Sequence, residues 1–252
     1  MKIGVQFYTL REKCETLEGL SESLKRVADM GYTTVQISGV CPYEAEWLRD
    51  ELKKNSLECV LTHWNGDEIK QDPVSVINKH NIFSCKNIGL GCMPGGPSEE
   101  NLYKFLEEFP SVAKTVRENG SKLFYHHHHW EFGRCADGER MIDKILRTFS
   151  PEELGITVDT YWAQYSGADS AEFIERLKGR CECIHVKDFE IVGSEQRMAS
   201  VGHGNINFER VIASAESAGA NYLLVEQDNC YGADPFECLK NSYEYLKSLG
   251  LN

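Results

Sequence analysis

The sequence predicts an α/β protein with a single domain, residues 1–252, folded as a (β/α)8 or TIM barrel. Apolar strand-like segments alternate with amphipathic helical segments along the chain, which is typical of a parallel sheet with helices outside it. Eight such pairs fill 252 residues, and barrels of this kind have about 250 residues. A doubly wound open sheet is the alternative, but the Gly-x-Gly-x-x-Gly motif that favours it does not follow the first strand.

The strand assignments depend on segments rich in β-branched and aromatic residues. In chain order these segments are KIGVQFYTL, YTTVQISG, SLECVLTHWNG, CKNIGLG, KLFYHHHHWEF, ELGITVDTYW, CECIHVKDF and NYLLVEQDN. Each precedes a segment whose apolar residues recur at helical spacing. These helical segments are LEGLSESLKRVADM, PYEAEWLRDELKKN, PVSVINKHNIF, SEENLYKFLEEFPSVAKTVRENG, GERMIDKILRTF, SAEFIERLKGR, FERVIASAESAG and PFECLKNSYEYLKSL. Gly31 ends the first helix, and Pro110 predicts a kink or a break in the fourth.

Composition excludes several classes of protein. A formal net charge of −12 disfavours nucleic acid as a partner, because such binding needs a basic face. No segment approaches the ~20 apolar residues of a membrane span, and the start, MKIGVQFYTLREKC, lacks the pattern of a signal peptide. We therefore expect a cytoplasmic protein that acts on a small molecule, with a homo-oligomer as an open possibility. The ten scattered cysteines predict reduced, mostly buried thiols.

Polar side chains collect where the predicted strands end. In a (β/α)8 barrel these carboxyl ends form the rim of the active site. The residues at these ends are Gln6, Tyr8, Gln36, Ser38, His63, His126, His127, His128, His129, Asp159, His185, Lys187, Asp188, Glu226 and Asp228. Apolar residues precede most of them, so the polar groups are expected to converge at one mouth.

The histidine run at positions 126–129 is internal and flanked by aromatic residues, which is unlike an expression tag. Side chains alternate along a strand, so His126 and His128 share one face. If that face points into the barrel, Asp159, His185 and Glu226 can complete a nitrogen and oxygen set around a divalent ion. Mn²⁺ is the ion expected first, with Zn²⁺, Co²⁺, Mg²⁺ and Fe²⁺ as alternatives. Two structural roles stay open: Asp159 as a helix N-cap and His185 as a core histidine.

Other residues are candidates for the substrate pocket. His63 and Trp64 place an imidazole beside an aromatic ring that can stack on a sugar, and Trp162 can do the same. Tyr8 and Gln36 lie at the ends of the first two strands. In VGHGNINF, glycines bracket His203 before a helix, so this loop can direct backbone N–H groups and an imidazole toward a ligand, with Asn205 as a cap.

Several of these motifs, taken together, resemble those of the sugar phosphate isomerase/epimerase family, the xylose isomerase-like TIM barrels. The segments that carry the resemblance are YHHHHWEF, GITVDTYWAQYSGAD, GRCECIHVKDF, VGHGNINF and YLLVEQDN. The resemblance implies a metal ion held by Asp159, His185, Glu226 and a fifth-strand residue, which aligns with His126. The sequence departs from the family at three positions: ketose epimerases have glutamate at 126, and many relatives have glutamate at 36 and 203.

The resulting functional prediction is a metal-dependent isomerase or epimerase of a sugar or keto-sugar. Glu226 or His128 would remove a proton next to a carbonyl, the metal would hold the enediolate, and Lys187 would polarise the carbonyl. The alternative is a lyase or dehydratase acting on a keto-sugar or keto-inositol through the same carbanion. A DNA-repair endonuclease and a catalytically silent binding subunit are two further classes, and the negative charge argues against the endonuclease.

Overall fold

The computed structural model describes residues 1–251. The strands are β1 (Lys2–Gln6), β2 (Thr34–Ile37), β3 (Glu58–His63), β4 (Asn87–Leu90), β5 (Lys122–His126), β6 (Leu154–Asp159), β7 (Cys183–Val186), β8 (Asp188–Val192), β9 (Glu195–Ala199) and β10 (Tyr222–Val225). The α-helices are α1 (Leu17–Asp29), α2 (Ala45–Lys54), α3 (Gly66–Gln71), α4 (Pro73–Ile82), α5 (Glu99–Glu118), α6 (Met141–Thr148), α7 (Thr160–Tyr165), α8 (Ser170–Arg176), α9 (Phe208–Ala218) and α10 (Pro235–Ser248).

The barrel closes in the order β1-β10-β7-β6-β5-β4-β3-β2, with every neighbouring pair parallel, within the described range. This confirms the predicted single-domain (β/α)8 fold. The last pairing of β6 with β7 sets Asp159 opposite His185. The register therefore brings two of the predicted metal ligands to the same level of the mouth.

The barrel interior is apolar in its middle and becomes polar toward the carboxyl ends of the strands. A small apolar cluster, separate from the main core, contains Leu61, Phe124, Cys183 and Leu224. Two residues further along the same chain segments come His63, His126, His185 and Glu226. Because side chains alternate along a strand, this second set faces the interior directly above the apolar one. Between the two layers on β5, Tyr125 points outward and contacts Phe105 of α5.

The first and fifth strands are shorter than predicted. β1 ends at Gln6, and residues 7–13 form a 3₁₀ helix that carries Tyr8 out of the barrel. β5 ends at His126, so His127 to His129 lie in a turn before a second 3₁₀ helix, Trp130–Phe132. The alternation that assigned His128 to the same face as His126 therefore does not extend past the strand.

Three other differences concern helices and connections. Pro110 lies inside α5, which runs unbroken from Glu99 to Glu118. After β7, the strands β8 and β9 form an antiparallel hairpin that the sequence did not indicate. Among residues 1–251, the helices all fall short of the length and apolar character needed to cross a membrane.

Candidate metal centre

Four buried side chains converge at the barrel mouth: His126, Asp159, His185 and Glu226. They come from the ends of β5, β6 and β7 and from the residue that follows β10. Each offers one nitrogen or oxygen atom, and these atoms all lie within 4.8 Å of one another. The structure therefore brings together the four residues expected to hold a metal ion.

The hydrogen bonds of His126 fix which of its nitrogens faces the cluster. Its Nδ1 lies 3.1 Å from the carbonyl oxygen of Gly91, which can only accept, so Nδ1 is the donor. In the neutral ring Nε2 is then a bare lone pair, and it lies 3.2 Å from Oδ2 of Asp159. Burial lowers the pKa of His126 to about 4, so the ring is neutral near pH 7. Two acceptors that face each other in this way suit a cation between them.

His185 has the same arrangement with the nitrogens exchanged. Its Nε2 lies 2.6 Å from Oε1 of Gln36, and its Nδ1 lies 2.8 Å from Oε2 of Glu226. These last two atoms are close but not aligned as a hydrogen bond, and neither has a hydrogen-bond partner among residues 1–251. Buried polar atoms are seldom left this way. Imidazole nitrogens with carboxylate oxygens suit Mn²⁺, Fe²⁺, Co²⁺ and Zn²⁺, so the side chains present fit a divalent ion.

Lys187 supplies a positive charge beside the cluster. The side chain is buried, and its Nζ lies 3.2 Å from Asp159 Oδ2, 3.1 Å from Glu226 Oε2 and 2.9 Å from Asp228 Oδ1. Burial opposes the ionisation of the carboxyl groups of Asp159 and Glu226. The ammonium group of Lys187 nevertheless holds the pKa values of both below their usual range. The same carboxylates hold the pKa of Lys187 above its usual range. Lys187 is therefore a charged donor at the mouth.

Asp159 is the N-cap of a helix, as the sequence left open, and it also faces the cluster. Its Oδ1 accepts the backbone N–H of Trp162 at 2.9 Å and caps α7, while its Oδ2 faces the cluster. His127, on the opposite face of the segment from His126, packs away from the mouth against Phe132 and Phe173. Its Nε2 accepts the backbone N–H of Asp159 at 3.0 Å, so it holds a cluster residue from behind.

His63 belongs to the same mouth, whereas Trp64 turns away from it. The ring of His63 stacks on His126 with centroids 5.3 Å apart, and its Nδ1 lies 3.0 Å from Oγ of Ser38. The Trp64 ring lies edge-on to His80, which is buried in α4. Both His63 and Trp64 line a cavity of about 360 Å³ beside the cluster.

An aromatic wall, defined here as His128, His129, Trp130, Trp162 and Tyr165, stands above β5 and β6. The rings of His128 and Trp130 stack with centroids 4.2 Å apart and planes at 13°. The ring centroids of Trp162 and His128 are 5.5 Å apart, and Lys187 Nζ lies 5.7 Å from the centroid of the Trp162 ring. The sequence singled out His128 and Trp162 but not Trp130. Trp130 directly follows the four histidines, and this position could have indicated that it lies at the same mouth.

The glycine loop that contains His203 does not present its N–H groups to a ligand. The N–H groups of Gly202, Gly204 and Ile206 donate to the carboxylate of Asp188, so that expectation is wrong. His203 is exposed at this loop, and Asn207, not Asn205, caps α9.

Asp188 and Tyr8 also differ from the places that the sequence suggests. The sequence places Asp188 among the polar residues at the strand ends, but the residue is buried and accepts the N–H groups of the glycine loop. Tyr8 is 38% exposed, and the guanidinium of Arg11 lies over its ring. The roles of His203 and Tyr8 in substrate binding stay predictions.

The closed barrel and its buried cluster define a class of protein, and comparison with known proteins agrees. A family model described as xylose isomerase-like TIM barrel matches residues 24–249, and the chain belongs to this family. The resemblance seen in the sequence is thereby confirmed.

Individual relatives are more distant. The chain is similar to inosose dehydratases from Geobacillus kaustophilus (29% identical) and Mesomycoplasma hyopneumoniae (26% identical). The two alignments each cover 90% of this chain, and they cover 86% and 87% of the relatives. A crystal structure of a sugar phosphate isomerase/epimerase from Parabacteroides distasonis superimposes with a TM-score of 0.82 at 21% identity, covering 98% of this chain and 93% of that one. This second likeness shows the shared fold.

Proposed function

We propose that this protein is a divalent-metal-dependent dehydratase of a keto-inositol or a similar polyhydroxy ketone. The observation that carries the proposal is the buried convergence of His126, Asp159, His185 and Glu226, with both imidazole lone pairs directed at carboxylate oxygens. The inosose dehydratases that align with 90% of the chain support the choice of substrate and reaction. Because of these relatives we place dehydration first, although the sequence alone favoured isomerisation or epimerisation.

The reaction removes the elements of water from the substrate. A base takes the proton from the carbon next to the carbonyl, and the electron pair left there forms a double bond as the hydroxyl group on the next carbon leaves. That hydroxyl group departs as water after it gains a proton from an acid. A divalent ion held by the four cluster residues would supply Lewis-acid chemistry to the ketone oxygen, with Mn²⁺ expected first.

The side chains at the mouth can perform both proton transfers. Glu226 is our candidate base, because Gln6 holds its Oε1 while its Oε2 points into the cluster, close to Lys187 but without an aligned hydrogen bond in the described chain. Lys187, held in its charged form, can donate a hydrogen bond or a proton to the substrate. His128 stands on the aromatic wall as a second group for proton transfer. The faces of Trp130 and Trp162 can stack on a carbon ring and keep water from the reacting atoms.

An isomerase or epimerase of a sugar is the second candidate. The family match and the cluster support it equally, because both reactions begin with removal of a proton beside a carbonyl. The two reactions differ in their second step: an epimerase returns a proton to the carbanion, whereas a dehydratase loses the neighbouring hydroxyl group.

NMR in D₂O separates these two reactions. The purified enzyme, supplied with Mn²⁺, is incubated with a keto-inositol and with a panel of ketoses. Dehydration predicts a product that lacks one hydroxyl group. An intact ketose that carries solvent deuterium at the reacting carbon would instead assign the enzyme as an isomerase or epimerase. Enzyme stripped with a chelator should be inactive until the ion returns, and full activity after stripping would remove the metal from the proposal.

Glu226→Gln tests the assigned base. The amide is nearly the same size but cannot accept the proton, so turnover should fall about 100-fold or more while the fold persists. Glu107→Gln, on the exposed face of α5, is the matched control and should retain full activity. Wild-type turnover in the folded Glu226→Gln variant would exclude Glu226 as the base.

A further inference from the structure

The loop between β9 and α9 is folded around the carboxylate of Asp188. Oδ2 accepts the N–H groups of Gly202 at 3.0 Å and Gly204 at 2.9 Å. Oδ1 accepts those of Phe189 at 2.8 Å and Ile206 at 3.1 Å. The Asp188 residue is 1% exposed, so these four backbone donors enclose one internal anion.

Such a concave set of backbone N–H groups is a general anion-binding arrangement. In (β/α)8 enzymes, the loops that follow the seventh and eighth strands frequently bind the phosphate group of a substrate. The loop with Gly202 and Gly204 follows β7, the seventh strand of this barrel in chain order, after the β8–β9 hairpin. The place where a phosphate would be expected therefore holds the chain's own carboxylate.

Neither Gly202 nor Gly204 has room for a side chain in this loop. A Cβ atom on Gly204 would lie 2.3 Å from the carbonyl oxygen of Phe189 and 2.5 Å from Oδ1 of Asp188. Gly202 has a φ of +84°, and a Cβ atom there would lie 2.2 Å from the ring of Tyr245. A side chain at position 204 would force the loop away from Asp188, and one at position 202 would displace Tyr245 or the loop.

Nearby cationic groups are also engaged by the protein itself. The guanidinium of Arg11 donates to the carbonyl oxygens of Tyr8 and Asp228, each at 2.8 Å. Lys187 is held by the carboxylates of Asp159, Glu226 and Asp228. The charge of Lys187 is therefore already balanced by carboxylates, and the N–H groups of Arg11 that bind carbonyl oxygens are not free for a phosphate group.

We propose that Asp188 is a specificity-determining residue that fills the anion-binding loop and thereby restricts the site to polyhydroxy ketones without a phosphate ester. That the substrate is a polyhydroxy ketone rests on the proposed function. That Asp188 excludes a phosphate group from the loop is tested separately, by the binding of inorganic phosphate. A failure of the dehydratase assay therefore leaves this test intact.

Binding of inorganic phosphate is the direct test. Melting temperatures and calorimetric titrations compare wild-type protein with Asp188→Ala, in phosphate and in sodium chloride of equal ionic strength. Phosphate should have no specific effect on wild-type protein and should bind to and stabilise Asp188→Ala. Asp72→Ala, which removes the exposed N-cap carboxylate of α4, controls for the lost charge and should not gain phosphate binding.

Two results would overturn the proposal. One is saturable phosphate binding by the wild-type protein at this loop, and the other is a folded Asp188→Ala variant that gains none. If Asp188→Ala does not fold, the wild-type protein decides the matter through competition between a keto-inositol and its monophosphate. Weaker binding of the monophosphate supports the proposal, and equal or tighter binding rejects it.

Discussion

Two buried glutamines determine which atoms the cluster presents. Gln6 Nε2 donates to Oε1 of Glu226 at 2.9 Å, which leaves Oε2 directed into the cluster. Gln36 Oε1 accepts from Nε2 of His185, which leaves Nδ1 directed inward. An outer partner of this kind sets the tautomer and orientation of a metal-binding imidazole. Because Gln36 is neutral, it does this without adding another negative charge beside Asp159 and Glu226.

Gln36→Leu should weaken metal binding. Leucine fills most of the same space but cannot accept the N–H of His185, so the ring loses its fixed tautomer. We expect the dissociation constant for Mn²⁺ to rise ~10–100-fold, as measured by competition with a chelating dye. Gln164→Leu, at an exposed position in α7, is the control and should bind like wild type. Unchanged affinity in a folded Gln36→Leu variant would contradict the role given to Gln36.

At the residue scale, the sequence predicted the four cluster residues but not their partners. Types and positions at strand ends were sufficient to select Asp159, His185 and Glu226, and the family resemblance selected His126 among the four histidines. The sequence placed Gln36 in the substrate pocket. Its contact with His185 was missed, because the two residues are 149 positions apart in the chain. That contact depends on how the barrel closes, which no local pattern encodes.

At the scale of single elements, the histidine segment shows where sequence patterns fail. KLFYHHHHWEF contains strand-favouring residues and no glycine or proline, so nothing in it marks an end after His126. The chain turns there because Glu131 is buried behind the strand. Its carboxylate accepts the Tyr125 hydroxyl at 2.5 Å and the N–H of His128 at 2.8 Å. The turn is thus stabilised by one carboxylate, and it positions both His126 and the aromatic wall.

Glu131→Gln should destabilise the turn and the fold. Burial raises the pKa of Glu131 to about 7, and each of its two oxygens accepts a hydrogen bond. The amide nitrogen of glutamine cannot accept, so one buried donor loses its partner at a cost of about 1–3 kcal/mol. Urea unfolding measures the free energy of unfolding, with Glu107→Gln as the exposed control on the neighbouring helix. Equal midpoints for Glu131→Gln and wild type would show that the turn does not depend on this carboxylate.

At the scale of the whole molecule, the cluster follows from the two-residue period of the barrel strands. The interior layer of Leu61, Phe124, Cys183 and Leu224 closes the barrel below. The next inward residues on the same strands are polar, so they collect at one mouth without any special loop. This much the alternation of strands and helices predicts. The β8–β9 hairpin was missed because it is short and lies largely exposed outside the repeating pattern.

The stability of the whole molecule should fall in acid, and His80, remote from the metal ligands, can be used to isolate one cause. His80 is fully buried in α4: Nδ1 donates to the carbonyl of Val76, and Nε2 lies 2.8 Å from Oγ1 of Thr62. Burial lowers its pKa from 6.5 to about 4, so between these values the unfolded chain binds a proton that the folded chain refuses. The contribution of neutral His80 to the free energy of unfolding is therefore complete above the unfolded pKa of 6.5, and it is lost as pH falls toward 4. From about pH 7 to about pH 5 the loss is about 2 kcal/mol. Urea unfolding of His80→Gln, which does not titrate, should show a smaller fall over this range than wild type, even if its stability at neutral pH is lower. Parallel pH profiles for the two proteins would mean that His80 takes up its proton equally in the folded and unfolded states.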